Sequence, residues 1–127
     1  MSMDLFITNS LALDISILEE FVQGKKGLGC QITPEADCSW ITLMTADGAF
    51  LAVSVWGPEE IEEEQLEELE EAVLKIVTAP KWSWQLSVSA GAPFEAVNVA
   101  KELSCFIAKK GKGASFDPQE EKILFPR

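Results

Sequence analysis

The chain contains no histidine and no tyrosine. The first absence removes the commonest general base and the commonest metal ligand together, and the second removes a further proton donor. Positive charge is also scarce: 10 lysines and arginines stand against 21 aspartates and glutamates, for a formal net charge of -11. Such a chain is repelled by phosphate backbones and by anionic lipid headgroups, so neither nucleic acid nor a membrane is an expected partner. A basic protein is an expected partner, because long-range attraction steers it in. The same acidity would also serve solubility alone, and composition does not choose between the two.

Cysteine is sparse, with only Cys30, Cys38 and Cys105 and no close CxxC pair. That suits a reducing compartment, where cysteine acts as a small apolar residue. Cys30 and Cys38 lack the second pair or the imidazoles that zinc would need. Asp37, Asp47 and Asp117 are isolated, without the alternating acids of a calcium loop. No GxSxG, Walker or GxGxxG motif occurs; Gly27-Leu28-Gly29 is only a GxG at a helix exit. No metal, cofactor or catalytic residue is therefore expected, and the chain reads as a non-enzyme. Catalysis by carboxylates alone is the one enzymatic route left, and no spacing selects an acid pair for it. The first residues lack a basic stretch followed by a long apolar run, and no segment approaches the roughly 18 apolar residues that span a bilayer. No signal peptide and cytoplasmic residence are the expectations.

What is present is an ordinary core for one domain: 127 residues, 47% of them apolar. Asp4 to Thr8 reads as a strand. Ser16 and Glu19 have capping-box spacing ahead of Ile17, Leu18, Phe21 and Val22, which predicts a helix over 14–23 ending at Gly24-Lys25-Lys26-Gly27. Strands are expected at Cys30 to Thr33, Ser39 to Thr45 and Phe50 to Trp56, the last two joined by a hairpin at Asp47-Gly48. Lys81 to Ser89 alternates apolar and polar residues over its length, which predicts a strand with one buried and one solvated face. A helix follows from Gly91-Ala92-Pro93, with Phe94, Val97, Ala100, Leu103, Ile107 and Ala108 along one side. A final hairpin turns at Asp117-Pro118. The fold class is α+β: an antiparallel or mixed sheet of five to seven short strands with three helices, mainly on one face, over residues 1–127 as a single domain.

The third expected helix, between the Phe50–Trp56 strand and Lys81, is the unusual one. Gly57-Pro58 suits its start and Pro80 its end, with Ile61, Leu66, Leu69, Val73, Ile76 and Val77 as its apolar stripe. Between Pro58 and Glu71 lie nine glutamates (Glu59, Glu60, Glu62, Glu63, Glu64, Glu67, Glu68, Glu70 and Glu71) and no lysine or arginine. Several stand four residues apart, where like charges destabilise a helix, and only Glu71 with Lys75 is an attractive pair. A solvated face accommodates this, and so does a docking surface for a basic partner. In the second case Glu60, Glu63, Glu64, Glu67, Glu68 and Glu71 are the contacts. Four tryptophans are many for such a core, and Trp56, beside Gly57-Pro58, is the candidate exposed anchor.

The stretch from Ala100-Lys101-Glu102-Leu103 through Ala108-Lys109-Lys110, then Gly113-Ala114-Ser115-Phe116-Asp117-Pro118-Gln119-Glu120 and Ile123-Leu124-Phe125-Pro126, resembles the close of small bacterial immunity proteins encoded beside polymorphic or contact-delivered toxins. The resemblance covers about a quarter of the chain and carries no binding residue over. It implies a protein that neutralises a toxin. The resulting expectation is a non-catalytic inhibitory protein that occupies a basic surface with the acidic helix. The alternative is a small-molecule sensor or regulatory domain whose apolar pocket is lined by Trp82, Trp84 and Phe94.

Overall fold

Residues that alternate along the chain alternate in space: Trp84, Leu86 and Val88 are buried, whereas Ser83, Gln85 and Ser87 are half-buried. The computed structural model describes residues 3–25, 29–34, 38–45 and 48–126. In chain order the elements are β1 (Met3–Asn9), α1 (Ile17–Gln23), β2 (Gly29–Pro34), β3 (Ser39–Thr45), β4 (Gly48–Glu60), α2 (Glu63–Leu66), α3 (Glu71–Leu74), β5 (Trp82–Val88), α4 (Phe94–Lys110), β6 (Ala114–Asp117) and β7 (Lys122–Phe125). The strands form one seven-stranded sheet in the order β2-β3-β4-β5-β1-β6-β7. Every adjacent pair is antiparallel, so the fold is α+β.

Register divides the sheet into two faces. Leu5 stands opposite Leu86 and Ile7 opposite Trp84, while Val53 and Val55 stand opposite Val88 and Leu86. Together these make the first face, and α1 and α4 cover it. Ala96, Val99, Ala100, Leu103 and Ile107 recur at helical spacing along α4 and join Leu18 and Phe21 of α1 in the same apolar cluster. Ion pairs tie the two helices at their edges, Lys25 with Glu102 and Lys110 with Glu20. Deeper, the Ser115 hydroxyl donates to Ser104 Oγ at 2.7 Å, and Ser104 donates to the Lys101 carbonyl at 2.8 Å. Buried hydroxyls are thus paired rather than stranded.

Some local expectations change. The capping box at Ser16 does not form; Asp14 Oδ1 instead accepts the Ser16 amide at 2.9 Å. At the last hairpin Asp117 Oδ1 accepts the amides of Gln119 and Glu120, at 3.0 and 3.3 Å, which fixes the turn at Pro118. Asp37, the Lys26-Gly27 helix exit, Gly27-Leu28 of the GxG and Ala46-Asp47 of the first hairpin lie outside the described residues. The strands flanking that hairpin do pair, with Thr45 opposite Gly48.

The largest correction concerns the acidic helix, which is not one helix. Gly57 and Pro58 form a bulge within β4, after which Glu59 stands opposite Ser83 and Glu60 opposite Trp82. Ile61 extends the ladder by donating to the Lys81 carbonyl at 2.8 Å. Two short pieces, α2 and α3, follow, separated by extended backbone at Glu70. Two physical reasons account for the late start and for the break. Gly57 has φ of 123°, outside the helical region, and a Cβ there would lie 2.8 Å from the Ser83 carbonyl oxygen. An unbroken helix would also stack like-charged glutamates four residues apart, at a few tenths of a kcal/mol per pair or so. Among the described residues four helices therefore replace the expected three, and the two long ones share a face.

Candidate functional site

The second face of the sheet carries Phe6 and Thr8 from β1, Trp56 from β4, Ser83 and Gln85 from β5, and Phe116 from β6. Cross-strand partners fix this: Phe6 stands opposite both Gln85 and Phe116, Thr8 opposite Ser83, and Trp56 opposite Gln85. The acidic segment crosses this face. Val73 and Val77 pack with Ala114 and Phe116 in a second apolar cluster and hold the segment down. Between segment and sheet lies a cavity of about 440 Å3. Its floor is Phe6, Thr8, Trp56, Ser83, Gln85 and Phe116, and its roof is Ile61, Gln65, Leu69 and Val73. Glu59, Glu68 and Glu70 border it, and all three are exposed.

The structure places the six expected contact glutamates along the whole segment rather than on one helix stripe. Glu60 ends β4, Glu63 and Glu64 open α2, Glu67 and Glu68 lie between the short helices, and Glu71 opens α3. All are exposed. Glu71 meets Lys75 at 3.9 Å as its spacing predicts, and among the described residues no other ion pair reaches these glutamates. Trp56, expected as an exposed anchor, is half-buried and forms part of the cavity floor. The pocket expected at Trp82, Trp84 and Phe94 is not formed by that trio. Phe94 is 75% exposed and Trp82 does not line the cavity, whereas Trp84 does line it while also belonging to the main apolar cluster. The floor residues that sequence reasoning missed include Phe6, Thr8, Ser83, Gln85 and Phe116. The signal was there: in β1, Phe6 and Thr8 occupy the positions alternate to Leu5 and Ile7.

Among the described residues no group of three or more potential metal ligands converges. No disulfide joins the cysteines. Burial pushes the Cys30 thiol above its ordinary range, against a smaller opposing pull from Lys25. Because the thiolate is the reactive form, Cys30 should alkylate more slowly than an unhindered cysteine at neutral pH. Iodoacetamide labelling followed by mass spectrometry should show its rate rising at higher pH than that of a free thiol, and a midpoint below the free thiol's would contradict the assignment.

These features define the class: an α+β protein with an open antiparallel sheet, long helices on one face, and an acidic segment roofing a cavity on the other. Among the described residues no helix is long and apolar enough to cross a membrane. No family model matches the chain, and no curated protein or solved structure matches it.

Proposed function

We propose that the protein is a cytoplasmic, non-catalytic inhibitor of a basic protein, of the immunity type, docking through the glutamates between Glu59 and Glu71. One observation carries this reading. Every glutamate in that stretch is exposed, and among the described residues only Glu71 is within ion-pair reach of a cation. The segment is held to the sheet by apolar residues, so its charges do little for the fold. They repel one another in the free protein and would be relieved by a basic surface. Inhibition would follow from occupying the partner's substrate-binding surface; on a nuclease, the carboxylates would stand in for phosphates.

A pull-down from the source cell's lysate at low salt tests this, comparing the native chain with Glu63, Glu64, Glu67 and Glu68 changed together to glutamine. The native form should retain one basic protein and the variant should lose it. With that protein purified, association should slow at least about tenfold in the variant and fall steeply with ionic strength. Equal retention by both forms would sink the docking surface.

The cavity supports a second reading, a small-molecule-binding regulatory domain, because about 440 Å3 is the size of a ligand pocket.

A further inference from the structure

The cavity under the acidic segment has a chemical bias that narrows what it could hold. Among the described residues its lining includes no lysine or arginine, while three glutamates border it. Phosphates, nucleotides and carboxylates would meet like charge at its border. The floor offers two exposed or half-exposed aromatic rings, Phe6 at 41% exposure and the half-buried Trp56, on which an apolar or aromatic body can lie. Beside them Thr8 and Ser83 supply hydroxyls and Gln85 a carboxamide, which set the polar end of a ligand against the apolar roof of Ile61, Leu69 and Val73.

A bare metal ion is a poor match. It needs several donors converging on one point, and among the described residues no such group forms. An organic ammonium differs in kind, because its N–H groups need only one or two carboxylate acceptors at the edge of a site, and its carbon body gains by leaving water. Carboxylates beside low-dielectric walls attract it more strongly than the same groups would in open solvent. Resting on the small-molecule reading, we propose that this cavity binds an organic cation with an apolar or aromatic body. The ammonium sits at the mouth among Glu59, Glu68 and Glu70, and the body lies over Phe6, Trp56 and Phe116.

Three near-isosteric probes separate this from its rivals: 4-phenylbutylammonium, 4-phenylbutanol and 4-phenylbutyrate, titrated into the 15N-labelled full chain at low salt. The cation should bind at least about tenfold more tightly than the anion or the alcohol. Its shifts should fall on the amides of Phe6 and Phe116 and on the indole of Trp56. Changing Glu59, Glu68 and Glu70 together to glutamine should erase the preference while leaving the folded spectrum intact, because all three side chains are exposed. Leu69→Trp should fill the roof and weaken all binding. If the alcohol binds as well as the cation, the cation class is wrong while small-molecule binding stands. If cation shifts are confined to the outer glutamates and spare Phe6 and Phe116, the cavity is not the site. If no probe binds at millimolar concentration, both the cation class and the small-molecule reading fall.

Discussion

Trp84→Ala should lower folding stability by about 3–5 kcal/mol, the range for truncating a fully buried large aromatic. Trp84 is 2% exposed and is the largest fully buried side chain among the described residues. It stands opposite Ile7 at the middle of the sheet, beside the point where Gly57 and Pro58 bulge out of β4. The gap cannot close easily, because strand residues tied into ladders flank it on both sides and the long helices cover the same cluster. A second variant separates packing from polarity. The indole Nε1 is buried with no hydrogen-bond partner, so it contributes an unmet donor rather than a bond. Trp84→Phe keeps most of the ring and removes that donor, so its loss should be well under half that of the alanine variant. Urea denaturation followed by circular dichroism gives both values. Equal losses would mean that the indole nitrogen is satisfied in solution.

Gly113→Ala should fall toward the upper end of the roughly 1–3 kcal/mol typical of overpacking. A Cβ at this position would overlap the Thr8 carbonyl oxygen and the Asn9 side-chain oxygen, and would lie 2.7 Å from the Asn9 Cα. Two of these atoms are backbone, so no rotamer change relieves the clash. The adjoining pairs, Thr8 with Ala114 and Ile7 with Ser115, would have to open, and β6 would move off β1. Because Thr8 and Phe116 belong to the cavity floor, the variant should also shift the amide signals there. Gly24→Ala is the control: its Cβ would meet nothing closer than the Phe21 carbonyl oxygen at 3.5 Å. A stability change within about 0.5 kcal/mol is expected for it. If Gly113→Ala were as mild as the control, the close approach of β6 to β1 would be refuted.

The parts of the fold visible in the sequence were those decided locally. The alternation from Trp82 to Val88 depends only on one strand having two faces. The turn at Asp117-Pro118 needs only an aspartate that can accept the amides beyond it. The acidic helix failed because helical spacing was satisfied without helical burial. Of its expected stripe, Val73 and Val77 are buried, but Ile76 is 37% exposed. The stripe could not reveal that β5 would recruit Glu59 and Glu60 as strand residues, since that pairing is set by residues more than twenty positions away. The cavity was hidden for a related reason. Thr8, Ser83 and Gln85 look solvent-facing in sequence, and only long-range pairing brings an apolar cover over them. The glutamates of the stretch are exposed, and of the six expected contacts Glu68 is the one that borders the concavity, together with Glu59 and Glu70.

The pairing of Glu60 with Trp82 has a consequence for how this protein can change over generations. To the sheet, the whole acidic stretch is the loop of one β-hairpin, closed by the Ile61 amide on the Lys81 carbonyl. Doubling a loop's length costs only about 0.6 kcal/mol in closure entropy. Substitutions, insertions and deletions between those two residues therefore fall largely outside the strand ladders and the main apolar cluster. A lineage could recut this stretch to follow a drifting partner while the scaffold beneath it stays under separate selection, with Val73 and Val77 as the two anchor points that must survive each revision.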